Sequence, residues 1–138
     1  RCQENLKYII RGGKMITVKD FFTYDSDVFL SGTEVYGTLT VDSILNFDTE
    51  LRKEGQEDSI IYFKIYYNIL CLEKDFDKNK NEIGYLYYLL GYYTGMFYHP
   101  ANGKDIGLSF LKKALTITND DTVLEEILVT ITMLEGYP

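Results

Sequence analysis

His99 is the single imidazole among 138 residues and stands in the segment Tyr98-His99-Pro100. A general base or a nucleophilic triad needs a carboxylate, Ser or Cys held beside the imidazole, and the neighbouring residues supply none. A helix end accommodates it better, because a histidine there complements the carbonyl end of the dipole. The two thiols, Cys2 and Cys71, have neither a CxxC spacing nor a His companion, so no zinc site or disulfide framework is expected, and Cys71 should be buried. Asp75, Asp77 and Asn79 reproduce the first three oxygen positions of a calcium loop. The sixth position, however, is Lys80 where the turn needs Gly, and the twelfth is Leu86 where a bidentate Glu belongs, so the stretch reads as a polar loop. Gly84, Gly91 and Gly95 form no GxGxxG, and no Gly-Lys-Ser/Thr follows them. Neither enzymatic activity, a cofactor nor a metal is expected; an enzyme would have to assemble its site from Tyr, Asp and Glu alone.

What remains for recognition is aromatic and acidic. Nine of the 13 tyrosines lie between Tyr62 and Tyr98, and they cannot all be core, because each hydroxyl seeks a hydrogen-bond partner. Tyrosine brings large area and one hydrogen bond to an interface at low entropy cost. Lys and Arg number 14 against 21 Asp and Glu, for a net charge of −7, which repels nucleic-acid phosphates and anionic membranes and suits a basic protein. The candidate partner-binding residues are therefore the exposed members of Tyr85, Tyr88, Tyr92 and Tyr93, rimmed by Asp75, Asp77, Asp120, Asp121, Glu125 and Glu126.

These residues must be positioned by helices. A hydrophobic fraction of 46% supplies one real core, so residues 15–138 read as a single acidic domain. Residues 1–14 hold Arg1, Lys7, Arg11 and Lys14 against Glu4 alone, and Arg11-Gly12-Gly13-Lys14 breaks helix directly before Met15; this head reads as a leader. No run approaches the roughly 18 apolar residues of a membrane span, and a cytoplasmic location is expected. Segment 58–73, once past Asp58 and Ser59, is apolar nearly all round and predicts a central helix. In 82–97, Ile83, Leu86, Tyr87, Leu90, Thr94 and Phe97 recur at helical spacing, while Gly84, Gly91 and Gly95 bare another face for a close helix crossing or a ligand groove. His99-Pro100-Ala101-Asn102-Gly103 stops that helix, and helices over 104–117 and 122–134 follow, with Thr118 to Asp121 as turn and N-cap. Thr17 or Asp20 caps a short helix through Phe21 and Phe22, and 42–52 is helical. Glu34–Val41 alternates at the strand period, and Ser31-Gly32 could join it to Asp27–Leu30 as a hairpin. The expected fold is all-α, with four to six helices packed as antiparallel hairpins and a short β-hairpin near residues 27–41.

Tyr88-Leu89-Leu90-Gly91-Tyr92-Tyr93 followed by Asp105-Ile106-Gly107-Leu108-Ser109-Phe110-Leu111-Lys112-Lys113-Ala114 resembles one tetratricopeptide or Sel1-like repeat, over about residues 82–118. Leu90 and Gly91 match the Leu-Gly pair of helix A; Gly107, Phe110 and Lys113-Ala114 match the small, aromatic and Lys-Ala positions of helix B. Thr94 stands where the family has Tyr, and no second copy is evident. The resemblance implies helix-hairpin packing and a peptide-binding adaptor. In overall character, small, acidic and without chemistry, the chain is similar to the immunity proteins and antitoxins that neutralise basic bacterial toxins such as nucleases.

Overall fold

Side chains that return to the backbone set where the helices begin. In the computed structural model, which describes residues 8–11, 14–23 and 27–136 with side chains from Thr17 onward, Thr17 and Asp20 exchange backbone-to-side-chain hydrogen bonds of 3.0 Å each. That capping box starts α1 (Val18–Phe22). Thr40 and Ser43 exchange the same pair at 2.9 and 3.0 Å and start α3 (Val41–Lys53). Asp120 accepts from the amides of Thr122 and Val123 at 2.9 and 3.1 Å, starting α7 (Asp121–Glu135).

The chain divides into two compact units, residues 1–64 and 65–138. In the first, β1 (Tyr8–Arg11) pairs antiparallel with β2 (Lys14–Thr17) in the register Tyr8 opposite Thr17 and Arg11 opposite Lys14. Residues 8–11, read as part of a leader, thus pair with the strand that enters α1. Next come α1, α2 (Gly32–Thr38), α3 and the opening of α4 (Ser59–Leu72). Phe21, Phe22, Leu30, Val35, Leu39, Ile44 and Ile61 are buried. The second unit takes the rest of α4, a 3-10 turn (Glu73–Asp75), α5 (Phe76–Tyr93), a π turn (Thr94–Tyr98), α6 (Gly103–Ile117) and α7. The fold is all-α with packed helices, and its one strand pair among the described residues is β1 with β2.

Segment 27–41 is accordingly not a β-hairpin. Val35 and Leu39 satisfy both periods, and the helical one wins because it buries Val35, Thr38 and Leu39 on a single face while the Glu34 carboxylate accepts from the Ser31 amide at 2.8 Å. Nor is 75–81 a loop. The Asn79 side-chain amide donates to the Leu72 carbonyl at 3.1 Å, satisfying a carbonyl at the end of α4, and the helix runs on through a kink at Asn79. α4 is not enclosed all round either: Phe63, Tyr66, Tyr67 and Leu70 face solvent, while Lys64 and Asn68 are buried. The Lys64 ammonium donates to the Val28 carbonyl at 3.1 Å and lies 4.9 Å from the centroid of the Phe21 ring.

The glycine face of α5 is a packing face. A Cβ on Gly91 would lie 2.7 Å from Leu111 Cγ and 2.8 Å from the Gly107 carbonyl; one on Gly84 would lie 2.8 Å from Thr118 Cβ; one on Gly95 would lie 2.6 Å from Leu134 Cδ1. At Gly107 a Cβ would be 2.9 Å from the Gly91 carbonyl and from Gly95 Cα and N, all backbone atoms that cannot turn aside. Gly107→Val should therefore cost about 3 kcal/mol of stability. Gly37, in α2, has nothing within 4 Å of its Cβ position, and Gly37→Ala should add about 0.5–1 kcal/mol. Urea denaturation midpoints of the two variants should shift in opposite directions.

Candidate functional site

Along α5 the rings of Tyr85, Tyr88 and Tyr92 follow one another at centroid separations of 6.2 and 6.1 Å, and Tyr92 stacks on Phe97 of the π turn at 5.7 Å. Their sequence intervals of three, four and five residues keep them on one side of the chain as the helix widens into the π turn. Tyr88, only 4% exposed, lies in the middle of the file, and its hydroxyl stands beside Glu126 and Thr130 of α7. Burial pushes its phenol up to about 12, and the Glu126 charge adds to the shift. Tyr93 is also buried, stacked on Tyr98 at 5.9 Å. Of the four candidate tyrosines, then, Tyr88 and Tyr93 serve packing, and Tyr85 and Tyr92 are half-buried. Neighbouring Tyr87 donates to Glu73 Oε2 at 3.2 Å, stacks on Phe110 at 5.9 Å and carries the Lys113 ammonium 5.0 Å from its ring centroid. Its phenol is held far above the ordinary range by burial first and by Glu73 second.

The six candidate carboxylates, Asp75, Asp77, Asp120, Asp121, Glu125 and Glu126, are all exposed. The Asn119 amide donates to Asn81 Oδ1 at 2.8 Å, tying the α6–α7 turn to the first half of α5. Because α6 runs back along α5 and α7 runs back along α6, the first half of α5, which carries Asp77, and the start of α7, with Asp120 and Asp121, lie towards the same end of this unit. Glu125 and Glu126 continue the acidic surface along α7. Lys74, Lys78 and Lys80 are exposed on the same approach to α5 and offset part of that charge. Two helix N-termini converge there, and their dipoles favour the carboxylates independently of any partner.

Other chemistry-bearing residues stay apart. His99 is exposed in a left-handed conformation (φ 51°), its amide closing the π turn on the Thr94 carbonyl at 3.3 Å, and it joins no ion pair among the described residues. Cys71 is half-buried rather than buried, and Cys2 lies outside the described residues. Among the described residues no group of three or more His, Cys, Asp or Glu could hold a metal ion, and no helix is long and apolar enough to cross a membrane.

Two groups of exposed aromatics escaped the pattern reading. Tyr66 and Tyr67 emerge on α4, whose uniform apolarity hid which side faces water. In residues 1–64, α1, α3 and the start of α4 line a cleft of about 730 Å³ whose apolar lining includes Phe47, Ile60 and exposed Phe63, backed by buried Phe22 and Leu51, and whose charged lining includes Glu50, Glu54, Glu57 and Lys19. Comparisons with protein-family models, with curated proteins and with solved structures found no match to this chain.

The raised phenol of Tyr88 carries a sign that can be checked. A folded value above the unfolded value of 10 means that the stabilisation is complete below pH 10 and is lost as the pH rises from 10 towards 12, because the unfolded chain ionises first. Urea midpoints at about pH 8, 10 and 11 should fall across that window, and Tyr88→Phe should flatten the fall by about 1–2 kcal/mol.

Proposed function

We propose that this chain is a non-catalytic protein-binding domain of the immunity or antitoxin kind, acting in the cytoplasm to neutralise a basic toxin such as a nuclease. The observation that carries this reading is that the exposed carboxylates Asp77, Asp120 and Asp121 lie towards the same end of α5 and α7 and are continued along α7 by exposed Glu125 and Glu126, with Glu126 beside Tyr88, whose ring neighbours Tyr85 and Tyr92 are half-exposed. An acidic surface steers a basic protein into encounter, and tyrosines at its border supply contact area once the two meet. The same charge disfavours direct nucleic-acid contact and anionic membranes. Nothing in the reading calls for a cofactor.

A second reading, a tetratricopeptide or Sel1-like adaptor that holds a peptide in a groove, draws support from the close helix hairpin formed where Gly91 meets Gly107. The two readings differ in salt dependence. The partner, identified by cross-linking in the native host, is titrated against the intact chain between about 50 and 500 mM salt, over which the Debye length falls about threefold. A basic partner whose association slows at least tenfold over that range, and slows again in Asp121→Lys/Glu125→Lys, fits the inhibitor. An acidic partner, or binding indifferent to salt, removes the inhibitor reading and leaves the adaptor.

A further inference from the structure

The cleft belongs to residues 1–64 and has its own chemistry. Half-buried Phe47 and Ile60 give it an apolar lining, and buried Phe22 backs Phe47, the two rings stacked with centroids 5.0 Å apart and planes within 20°. Phe63, also on the lining, is 61% exposed, a large apolar side chain held in water. The walls are fixed from outside the cleft. Arg52 donates to Asp48 and Asp58 at 2.8 Å each, bridging the end of α3 to the entry of α4, and Gly55 (φ 69°) makes the turn between them, with the Gln56 amide closing on the Leu51 carbonyl at 2.9 Å. A cleft braced in this way needs little reordering to accept a ligand.

Its charge decides what the ligand is. Glu50 and Glu54 stand one turn apart on the same side of α3 and repel each other, and Glu57 extends the row beyond the turn. None of the three has an ion-pair partner within 4 Å among the described residues, and the Arg52 guanidinium is directed to Asp48 and Asp58. Among the described residues, Lys19 is the one cation on the lining. An anionic ligand is repelled, a fully polar one leaves the apolar lining unmatched, and a small amphiphile with one charge answers one carboxylate of the row. A polypeptide carries apolar and cationic side chains in alternation and can answer the whole row. We propose that the cleft docks a segment of a protein partner in which an aromatic or aliphatic side chain, seated against Phe47 and Ile60, is flanked by Lys or Arg paired with Glu50, Glu54 and Glu57. The exposed Phe63 ring closes over that anchor and offers a face to the neighbouring cation. This rests on the reading of the chain as a binder of basic proteins and adds a specific contact to it.

The test titrates three fluorescein-labelled synthetic peptides into the full chain by anisotropy: one amphipathic with Lys and Phe, one with Glu in place of each Lys, and one with Ala in place of each Phe. Only the Lys/Phe peptide should bind. Its affinity should fall about tenfold in Phe63→Ser and at least tenfold in Glu50→Lys/Glu54→Lys, while Glu125→Lys, in the other unit, should leave it unchanged. All of these positions are exposed, and circular dichroism confirms that each variant is folded. Equal binding of the Ala peptide would reduce the effect to bulk charge and overturn the proposal. So would binding of the neutral probe N-phenylnaphthylamine at this cleft without displacement by the Lys/Phe peptide, which would make it a site for small apolar molecules. If a basic partner binds the chain but is indifferent to Phe63→Ser and to the Glu50/Glu54 reversal, the cleft proposal fails and the general reading stands. If the partner is acidic, the general reading fails whatever the peptides do.

Discussion

Where α5 crosses α6, Gly91 and Gly107 face each other so closely that a Cβ on either would meet the other's carbonyl within 2.9 Å. Helices that meet backbone to backbone leave little freedom to slide or rotate, so the rest of residues 65–138 takes its place from this contact. Leu111 enters the space that Gly91 leaves open, Thr118 caps the far end against Gly84, and Leu134 of α7 reaches Gly95 at the other. The interval from Gly84 to Gly95 is eleven residues, three helical turns, which keeps the three bare positions on one face. Each glycine costs backbone entropy in a helix, and the close crossing offsets that cost with dispersion contacts that no larger residue permits.

Surface chemistry follows from the same geometry. With α6 and α7 each reversing direction, the first turns of α5 and α7 arrive at one end and bring their N-terminal carboxylates with them. Two helix dipoles stabilise the cluster without any partner. Any added affinity for a cationic protein is therefore built on charges that the fold already tolerates. In residues 1–64 the charges are arranged differently. Asp48 is buried and bonded to Arg52, whereas Glu50 and Glu54, two and six residues further along α3, point to the cleft. One acidic helix thus has a side that braces the turn and a side that faces outward.

Helices with one dominant stripe were legible as residues alone. The final two, with Ile106, Leu111, Ala114 and Ile117 and then Val123, Ile127 and Leu134, fall within a residue or two of their expected bounds, because stripe, turn and cap agree there. Thr17 and Asp120 were recognisable as caps for the same reason: the bonds they make are local. Segment 34–41 misled because Val35 and Leu39 fit both a strand and a helix, and propensity alone does not choose between them.

The sequence by itself determined the helical class, most helix starts, the glycine face and the acidic balance, all of which depend on interactions between residues a few positions apart. Only the tertiary structure decided which side of α4 meets water, which tyrosines are core, and that Glu50, Glu54 and Glu57 share a cleft with Phe22 and Phe63. α4 is apolar in almost every direction, so its inward face is chosen by what packs on it, and that choice buries Lys64, whose ammonium finds the Val28 carbonyl 36 positions away. The tyrosines of α5 lie on every side of that helix, and burial separates Tyr88 from Tyr85 through α7, more than 35 residues further on in the chain. Contacts at such separations leave no periodic trace in the sequence, because either partner alone is compatible with many neighbours.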